Sequence, residues 1–398
     1  MVKPLETSPI GISAEPSRSA TNPSAQTFLI SCGGTGGHLT PGIALAQELL
    51  ARGHRATLLI SEKRVDAQLA AKYPNLNFKS IPGAPLAFSP AGLIRFLVQQ
   101  AKGARAAVRL VRGIRPDVII GFGGFTSAAV MLIGALFRVP IALHEANRVP
   151  GRAIRVMTPL ARRVYVPSGV TLATAGGRLR HAGLPVRREI RREDRAMACA
   201  SLGFDPARPL VVVLGGSQGA AALNAWADSA WPELAAAGIQ LCCVVGGNRT
   251  GPDERLLPDA SGAMVAARFI PFCDKMASLL SAADLAVSRA GAGTIAELIR
   301  CQAPAILVPY PHAADNHQAA NAEQLRREQA ALVVEQRAVE TITGDVIALA
   351  RDGTRLEEFR RNLRRLERNS PARLIADDLE TLSGTHPPRI GWVSAFAA

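Results

Sequence analysis

The feature that most constrains this chain is a pattern that occurs twice: a short apolar run, a glycine-rich turn and a helical segment. The first copy begins with Thr27–Ser31 and continues through GGTGGH at residues 33–38. The second begins with Leu210–Leu214 and continues through GGSQG at residues 215–219. Near-continuous apolar runs between helical segments are typical of parallel strands covered on both faces. We therefore predict an α/β protein of two doubly wound, Rossmann-like domains that face each other across a cleft.

Further apolar runs extend each predicted sheet. They are residues 56–60, 118–120, 141–144 and 164–166 in the first domain, and 240–245, 285–287 and 305–308 in the second. Residues 168–209 are rich in Arg and Pro and poor in strand patterns, which is typical of a linker. We predict a flexible tail at 1–26 without a signal peptide, a first domain at 27–185, a second at 186–383 and a tail at 384–398. The last helix, which ends near residue 382, is a candidate to pack back on the first domain.

The composition narrows the classes of partner. The net charge of +14 favours anions, such as nucleic acid, an anionic membrane surface or phosphate-bearing small molecules. Nucleic acid is not expected, because no aromatic residues cluster among the basic ones. The six cysteines form no Cys-x-x-Cys and stand mostly in apolar runs, which predicts buried, reduced thiols. No uncharged apolar run approaches the length of a membrane span.

The first glycine-rich turn predicts a phosphate-binding loop. Four glycines in six residues allow a ligand close to the backbone, and a helix N-terminus offers free N–H groups. Leu39 stands where a dinucleotide fingerprint has its last glycine, which argues against NAD, and the P-loop Lys is absent. His38 begins the helix and could act as a general base or simply bond to its own loop. The residues alone do not decide between these two roles.

Three further stretches of the sequence also follow predicted strands. Ser217 in the second turn could bind a phosphate or cap the next helix. After the run at 285–287, Thr294 and Glu297 are spaced as a capping box, although Glu297 could instead bind ribose hydroxyls. The polar residues 309–318 follow another strand, where sugar hydroxyls would be read, and Asp315 among them could cap a helix. No Asp-x-Asp occurs, so we expect no metal site and no cofactor.

Seven stretches together resemble the MurG family, in the family's order and over nearly the whole chain between the tails. They are GGTGGHLTPG (33–42), GFGGFTSAAV (121–130), HEANRVPG (144–151), GLPVR (183–187), GGSQGAAALN (215–224), SRAGAGTIAEL (288–298) and DNHQAANA (315–322). The resemblance implies a two-domain GT-B fold. It also implies inverting transfer of N-acetylglucosamine from UDP-N-acetylglucosamine to the C4 hydroxyl of undecaprenyl-diphosphate-linked N-acetylmuramoyl pentapeptide.

The resemblance also implies a set of site residues, with His38 as the candidate catalytic base. The implied donor-binding residues are Thr35, Gly36, Gly37, Asn147, Arg187, Ser217, Ile270, Ala292, Gly293, Thr294, Ile295, Ala296, Glu297 and Gln318. In the family, Thr35, Gly36 and Gly37 lie against phosphates, Ile270 lies beside the uracil, and Glu297 binds ribose. Ala146, Leu184 and Phe125 depart from the usual Gln, Asn and Tyr, which leaves fine details of substrate contact open.

A lipid-linked acceptor implies contact with the anionic inner face of the plasma membrane, as a peripheral protein on the cytoplasmic side. Residues 85–115 are the candidate segment, apolar over 86–98 and followed by basic residues, namely Lys102, Arg105, Arg109, Arg112 and Arg115. The other interpretation is an ordinary amphipathic helix with a solvated basic face.

Three other functions remain in competition. They are another GT-B enzyme that uses a UDP-sugar, such as a glycolipid synthase or an epimerase; a non-catalytic nucleotide-sugar binding protein; and, less favoured, an NAD-dependent oxidoreductase. The stretches at 121–130 and 144–151 argue against the first, and His38 and Asn147 argue against the second.

Overall fold

A computed structural model describes residues 25–33, 36–82, 90–216, 220–246, 252–367 and 370–383. The first domain contains seven parallel strands in the order β3-β2-β1-β4-β5-β6-β7. The strands are β1 (Thr27–Ser31), β2 (Arg55–Ser61), β3 (Asn77–Ile81), β4 (Val118–Gly121), β5 (Ile141–His144), β6 (Arg163–Val166) and β7 (Leu179–His181). The helices between them are α1 (Gly36–Ala51), α2 (Arg64–Ala70), α3 (Pro90–Ile114), α4 (Phe125–Leu136) and α5 (Arg152–Met157).

The second domain repeats this plan, with the sheet order β10-β11-β9-β8-β12-β13-β14. Only β10 runs antiparallel to its neighbour in this sheet. Its strands are β8 (Leu210–Leu214), β9 (Gln240–Val244), β10 (Asp253–Pro258), β11 (Met264–Ile270), β12 (Leu285–Ser288), β13 (Ala305–Leu307) and β14 (Ala331–Val333). Its helices are α6 (Arg195–Leu202), α7 (Ala221–Ala236), α8 (Met276–Ala282), α9 (Ala292–Cys301), α10 (His317–Arg327), α11 (Thr343–Arg351), α12 (Gly353–Leu366) and α13 (Pro371–Ser383).

The α/β class and the two doubly wound sheets are confirmed, and every predicted strand is present. The five strands that were not predicted are β3, β7, β10, β11 and β14, which lie at or next to the sheet edges. Edge strands expose alternate residues, as β10 does along its length, so they lack the continuous apolar run that marks a central strand. β7 lies inside the segment that we interpreted as a linker.

The last helix crosses back to the first domain. Ile375, Ala376, Leu379 and Leu382 of α13 are buried in the same core cluster as Phe28 of β1. The carboxylate of Asp378 accepts hydrogen bonds from Arg163 Nε at 3.0 Å and from the hydroxyl of Tyr165 at 3.0 Å. The core of the first domain is therefore completed by residues of the last described helix.

The helix α3 carries the basic half of the candidate membrane segment. Residues 83–89 lie outside the described residues, and for 90–97 only the helical backbone is described. In the remainder, Ala107 and Val111 are buried in the first domain's core, whereas the five basic side chains from residue 102 to 115 are exposed. This part of α3 is thus an amphipathic helix whose apolar side packs inward. No helix in the described parts of the chain is both long and apolar enough to cross a bilayer.

Candidate functional site

The glycine-rich turn after β1 packs against the turn after β4. A Cβ atom on Gly33 would lie 2.3 Å from the backbone nitrogen of Ser61, so only glycine fits there. Gly124 has a φ of +86°, and a Cβ atom on it would lie 2.6 Å from the carbonyl oxygen of Gly33. Thr35 lies outside the described residues. Gly36 and Gly37 form the start of α1, where backbone N–H groups have no partner within the helix.

His38 lies at this meeting of the two turns. A Cβ atom on Gly123 would lie 3.3 Å from its Nε2 atom, so the glycine backbone leaves room for the imidazole ring. Burial lowers the pKa of His38, and the carboxylate of Asp66 partly opposes the effect. The imidazole is therefore neutral at neutral pH, the state that a general base requires.

A second histidine, His144 at the end of β5, was not singled out from the sequence. It is fully buried, and its Nε2 donates a hydrogen bond to the carbonyl of Gly183 at 2.7 Å. Burial lowers its pKa to about 4; the hydrogen bond to Gly183 opposes this shift, and nearby His38 adds to it. His144 therefore remains neutral and ties β5 to the chain segment that leaves the first domain.

The loop after β5 carries Asn147 and is held from within by Glu145. One carboxylate oxygen of Glu145 accepts from Asn147 N at 2.8 Å and from Asn147 Nδ2 at 3.1 Å, and the other accepts from Gly151 N at 2.7 Å. Asn321 of α10 reaches this loop from the second domain. Its Nδ2 donates to Asn147 Oδ1 at 3.1 Å, and its Oδ1 accepts from Arg148 N at 3.0 Å.

Arg187 and Glu297 form an ion pair where the two domains meet. Arg187 Nη2 donates to Glu297 Oε1 at 2.9 Å, and Nη1 donates to the hydroxyl of Tyr73 in the first domain at 2.9 Å. Burial lowers the pKa of Arg187, but Glu297 and Tyr73 outweigh it and the net shift is upward. Burial raises the pKa of Glu297, and Arg187 counteracts part of the rise.

The capping-box interpretation of Thr294 and Glu297 is wrong. The helix α9 begins at Ala292 with Gly291 as its N-cap, three residues earlier than a capping box would need. Thr294 therefore lies inside the first turn, together with Ala292 and Gly293, and the carboxylate of Glu297 contacts Arg187 instead. Ile295 and Ala296 continue the helix, with Ile295 buried.

The capping role suggested for Asp315 is also wrong. Asn316 holds the N-cap position of α10, and Asp315 instead forms an ion pair with Arg155 of the first domain at 2.8 Å. Asp315 therefore lies at the boundary between the domains. Gln318 is the second residue of α10, and its Oε1 accepts a hydrogen bond from Tyr310 N at 3.0 Å.

Ser217 and Ile270 are the remaining predicted residues, and both belong to the second domain. Ser217 lies outside the described residues, and the N-cap position of α7 belongs to Ala220. Ile270 is the last residue of β11; its carbonyl accepts a hydrogen bond from Val245 N at 2.9 Å, and its half-buried side chain packs against the second domain's core.

All six cysteines are free and buried. Within the described ranges, no three His, Cys, Asp or Glu side chains come together as a metal-binding group.

Comparison with known proteins identifies the family. Residues 28–166 match the glycosyltransferase family 28 N-terminal domain, and residues 210–377 match the family 28 C-terminal domain. A curated relative from Opitutus terrae is 52% identical over 362 residues, which cover 90% of this chain and 96% of the relative. One from Geotalea uraniireducens is 33% identical, over 88% of this chain and 97% of the relative. Both are named UDP-N-acetylglucosamine–N-acetylmuramyl-(pentapeptide) pyrophosphoryl-undecaprenol N-acetylglucosamine transferases.

Solved structures agree on the fold. MurG from Acinetobacter baumannii superposes with a TM-score of 0.66 at 22% identity, over 90% of this chain and 99% of that one. The calicheamicin glycosyltransferase CalG4 superposes with a TM-score of 0.61 at 18% identity, over 90% and 98% of the two chains. At these identities the likeness supports the GT-B fold and nothing finer. Taken with the family 28 domains and the curated relatives, it shows that this chain belongs to the MurG family of UDP-N-acetylglucosamine-dependent glycosyltransferases.

Proposed function

We propose that this chain transfers N-acetylglucosamine from UDP-N-acetylglucosamine to the C4 hydroxyl of undecaprenyl-diphosphate-linked N-acetylmuramoyl pentapeptide, which converts lipid I to lipid II in peptidoglycan synthesis. The observation that carries the proposal is 52% identity, over nearly the full length of both chains, to a transferase named for this reaction. The same fold serves enzymes with other acceptors, so the fold by itself does not select this one.

The donor would bind between the domains, with its nucleotide on the second one. Glu297 would accept hydrogen bonds from the ribose, Ile270 would lie near the uracil, and the first turn of α9 would approach the nucleotide with its N–H groups. Arg187, Ser217 and the loop of Thr35, Gly36 and Gly37 would bind phosphates. Asn147 and Gln318 would contact the donor sugar from opposite domains. The support is that Arg187 bonds to both Glu297 and Tyr73, and Asn147 bonds to Asn321, where the two domains meet.

The chemistry we propose is a single inverting displacement. His38 takes the proton of the acceptor's C4 hydroxyl while that oxygen attacks the anomeric carbon from the face opposite UDP. The bond from the anomeric carbon to the diphosphate oxygen breaks, and the negative charge grows on the diphosphate. Arg187 and backbone N–H groups would stabilise that charge, so the reaction would need no metal ion and no other cofactor. Closure of the cleft would exclude water and limit hydrolysis of the donor.

A lipid-linked acceptor also requires contact with a membrane, and we propose peripheral binding at its anionic cytoplasmic face. The exposed basic side chains of α3 would attract anionic lipids. On the neighbouring helices α4 and α5, Leu132, Leu136 and Val156 are 52%, 67% and 68% exposed. Apolar side chains beside basic ones are what an interfacial surface needs, and these three extend the candidate segment beyond residues 85–115.

The test is release of UDP from UDP-N-acetylglucosamine by the purified full chain in EDTA, with and without lipid-linked muramoyl pentapeptide. We expect release that depends on the acceptor and that is lost in folded Asn147→Ala and Glu297→Ala variants. UDP binding without transfer would refute the proposed acceptor. Absence of UDP binding would refute the proposed donor site, and restoration of activity only by a divalent cation would refute the metal-free mechanism.

A further inference from the structure

Tyr73 is a first-domain residue that reaches the donor-binding ion pair of the second domain. It follows α2 and packs partly against the core cluster of β1 and β2. Its hydroxyl accepts a hydrogen bond from Arg187 Nη1 at 2.9 Å and donates one to the carboxylate of Glu189. Burial raises the pKa of this phenol to about 12, so the hydroxyl keeps its proton at neutral pH and can make both bonds.

The guanidinium of Arg187 is held at two of its three nitrogens. Nη1 contacts Tyr73, Nη2 contacts Glu297 at 2.9 Å, and the buried Nε has no acceptor among the described residues. A guanidinium is planar and rigid, so fixing both terminal nitrogens also fixes the direction of the Nε–H group. That group remains available to an acceptor such as a phosphate oxygen.

A second connection ties the same segment to the first domain. Gln47 of α1 donates from Nε2 to Glu189 at 3.1 Å, and its Oε1 accepts from Arg188 N at 3.0 Å. The helix α1 is also the one whose first turn carries His38. Residues 187–189, although counted with the second domain, are therefore bonded to the first domain through Tyr73 and Gln47.

We propose that Tyr73 is a positioning residue for the donor: its hydroxyl aims Arg187, so that the Arg187–Glu297 pair binds the nucleotide only when the first domain is in place. The inference rests on the proposed function, in which Arg187 and Glu297 bind UDP-N-acetylglucosamine. Tyr73 acts through Arg187 and does not itself touch the substrate. Its loss should weaken the bound donor and also the stabilisation of the charge that grows on the leaving diphosphate, so KM should rise and kcat should fall.

The test is the Tyr73→Phe variant, which keeps the half-buried ring and removes both hydrogen bonds. We expect the Kd for UDP, measured by calorimetry, and the KM for UDP-N-acetylglucosamine each to rise about tenfold, which corresponds to about 1.4 kcal/mol. The kcat should fall by about threefold or more, because Arg187 also stabilises the leaving diphosphate. In a double-mutant cycle on UDP binding, Tyr73→Phe and Glu297→Gln should be non-additive, because both act through Arg187.

Tyr165→Phe is the matched control, because it also removes a hydroxyl bonded to a carboxylate, that of Asp378 in α13. It should change the melting temperature but neither Kd nor KM. If Tyr73→Phe does not fold, Glu189→Gln takes its place and should weaken UDP binding in the same direction.

Unchanged Kd and KM in Tyr73→Phe, or effects that add fully to those of Glu297→Gln, would overturn the inference. In either case wild-type transfer would still support the proposed function. A wild-type protein that binds no UDP would instead refute the donor site and the inference together.

Discussion

The surroundings of the His38 imidazole are compatible with the general base that we propose. The imidazole lies in the first turn of α1, beside the backbone of Gly123 and Gly124. Burial lowers its pKa, while Asp66 opposes the shift. A histidine with a lowered pKa is unprotonated at neutral pH, so it can accept a proton without first losing one.

The pH dependence of transfer should follow from this shift. The base works only when unprotonated, so kcat should be fully developed at neutral pH and fall as the pH drops through the lowered pKa of His38, below 6.5. The His38→Gln variant should lower kcat by about 100- to 10,000-fold and lose this acidic inflection, while UDP still binds. The measurement is a kcat profile across the acidic and neutral range.

The matched control for that profile is His181→Gln, at an exposed histidine of β7. This variant should leave the profile unchanged. An acidic inflection that persists in His38→Gln would show that another group is the base.

Among the elements, α13 determines whether the first domain can be stable. It lies at the end of the described chain, yet it fills the core of the first sheet with four apolar side chains. Arg52, the residue that follows α1, forms ion pairs with Asp377 at 2.6 Å and with Glu380 at 3.0 Å. These pairs are partly exposed, so we assign most of the stabilisation to apolar burial.

A pair of leucines on α13 tests this assignment. Leu379 is fully buried and Leu374 is 40% exposed on the same helix. Leu379→Ala should lower the free energy of unfolding by about 2–5 kcal/mol, because it leaves a cavity. Leu374→Ala should cost roughly 0.5 kcal/mol, since surface substitutions rarely cost more. Urea unfolding measures both, and equal costs would mean that α13 does not complete the core.

The surface that we propose to bind the membrane lies on the helices α3, α4 and α5. Leu136→Asp should weaken binding to vesicles that contain anionic phospholipid about tenfold or more, because it removes an apolar side chain and adds a repelled charge. The control is Leu256→Asp on β10, an exposed leucine of the second domain, which should bind as the wild type does. Binding should also fall with added salt, and sedimentation with vesicles measures both effects. Equal losses in the two variants would contradict this location.

For the whole molecule, the contacts between the domains involve several of the predicted donor residues. Asn147 and Arg148 meet Asn321, Arg187 meets Tyr73, and Arg155 meets Asp315. Lys72 also pairs with Asp274 across the boundary. The contacts between the domains and the proposed donor site therefore share residues, so we expect donor binding to depend on the relative position of the two domains.

A double-mutant cycle should detect energetic coupling between Asn147 and Asn321. Asn147→Ala and Asn321→Ala should each lower kcat/KM, and the double variant should lose less than the sum, with a coupling of about 0.5–3 kcal/mol. Asn362 supplies the control, since its Nδ2 bonds to the carbonyl of Gln329 within the second domain. Asn147→Ala combined with Asn362→Ala should be additive. Additivity in the Asn147 and Asn321 pair would mean that the bond between them does not matter for catalysis.

Prediction from sequence succeeded where a signal depends on neighbours along the chain. Continuous apolar runs marked the central strands, and glycine-rich turns marked the points where a strand is followed by a helix. It failed for the edge strands, which have no such run, and for Glu297 as a capping residue, because the start of α9 could not be located to within three residues. Nothing in the sequence marked Tyr73, whose partner Arg187 lies 114 positions away.

The sequence by itself determined the α/β class, the two sheets, the positions of the glycine-rich turns and, through its motifs, the family. These depend on periodicity and on short-range spacing, which are legible in a linear chain. The tertiary structure alone decided that α13 completes the first domain, that Arg187 is shared between Tyr73 and Glu297, and that Asn321 holds the Asn147 loop. These contacts join residues far apart in the chain, and they form only when burial of both cores brings their elements together.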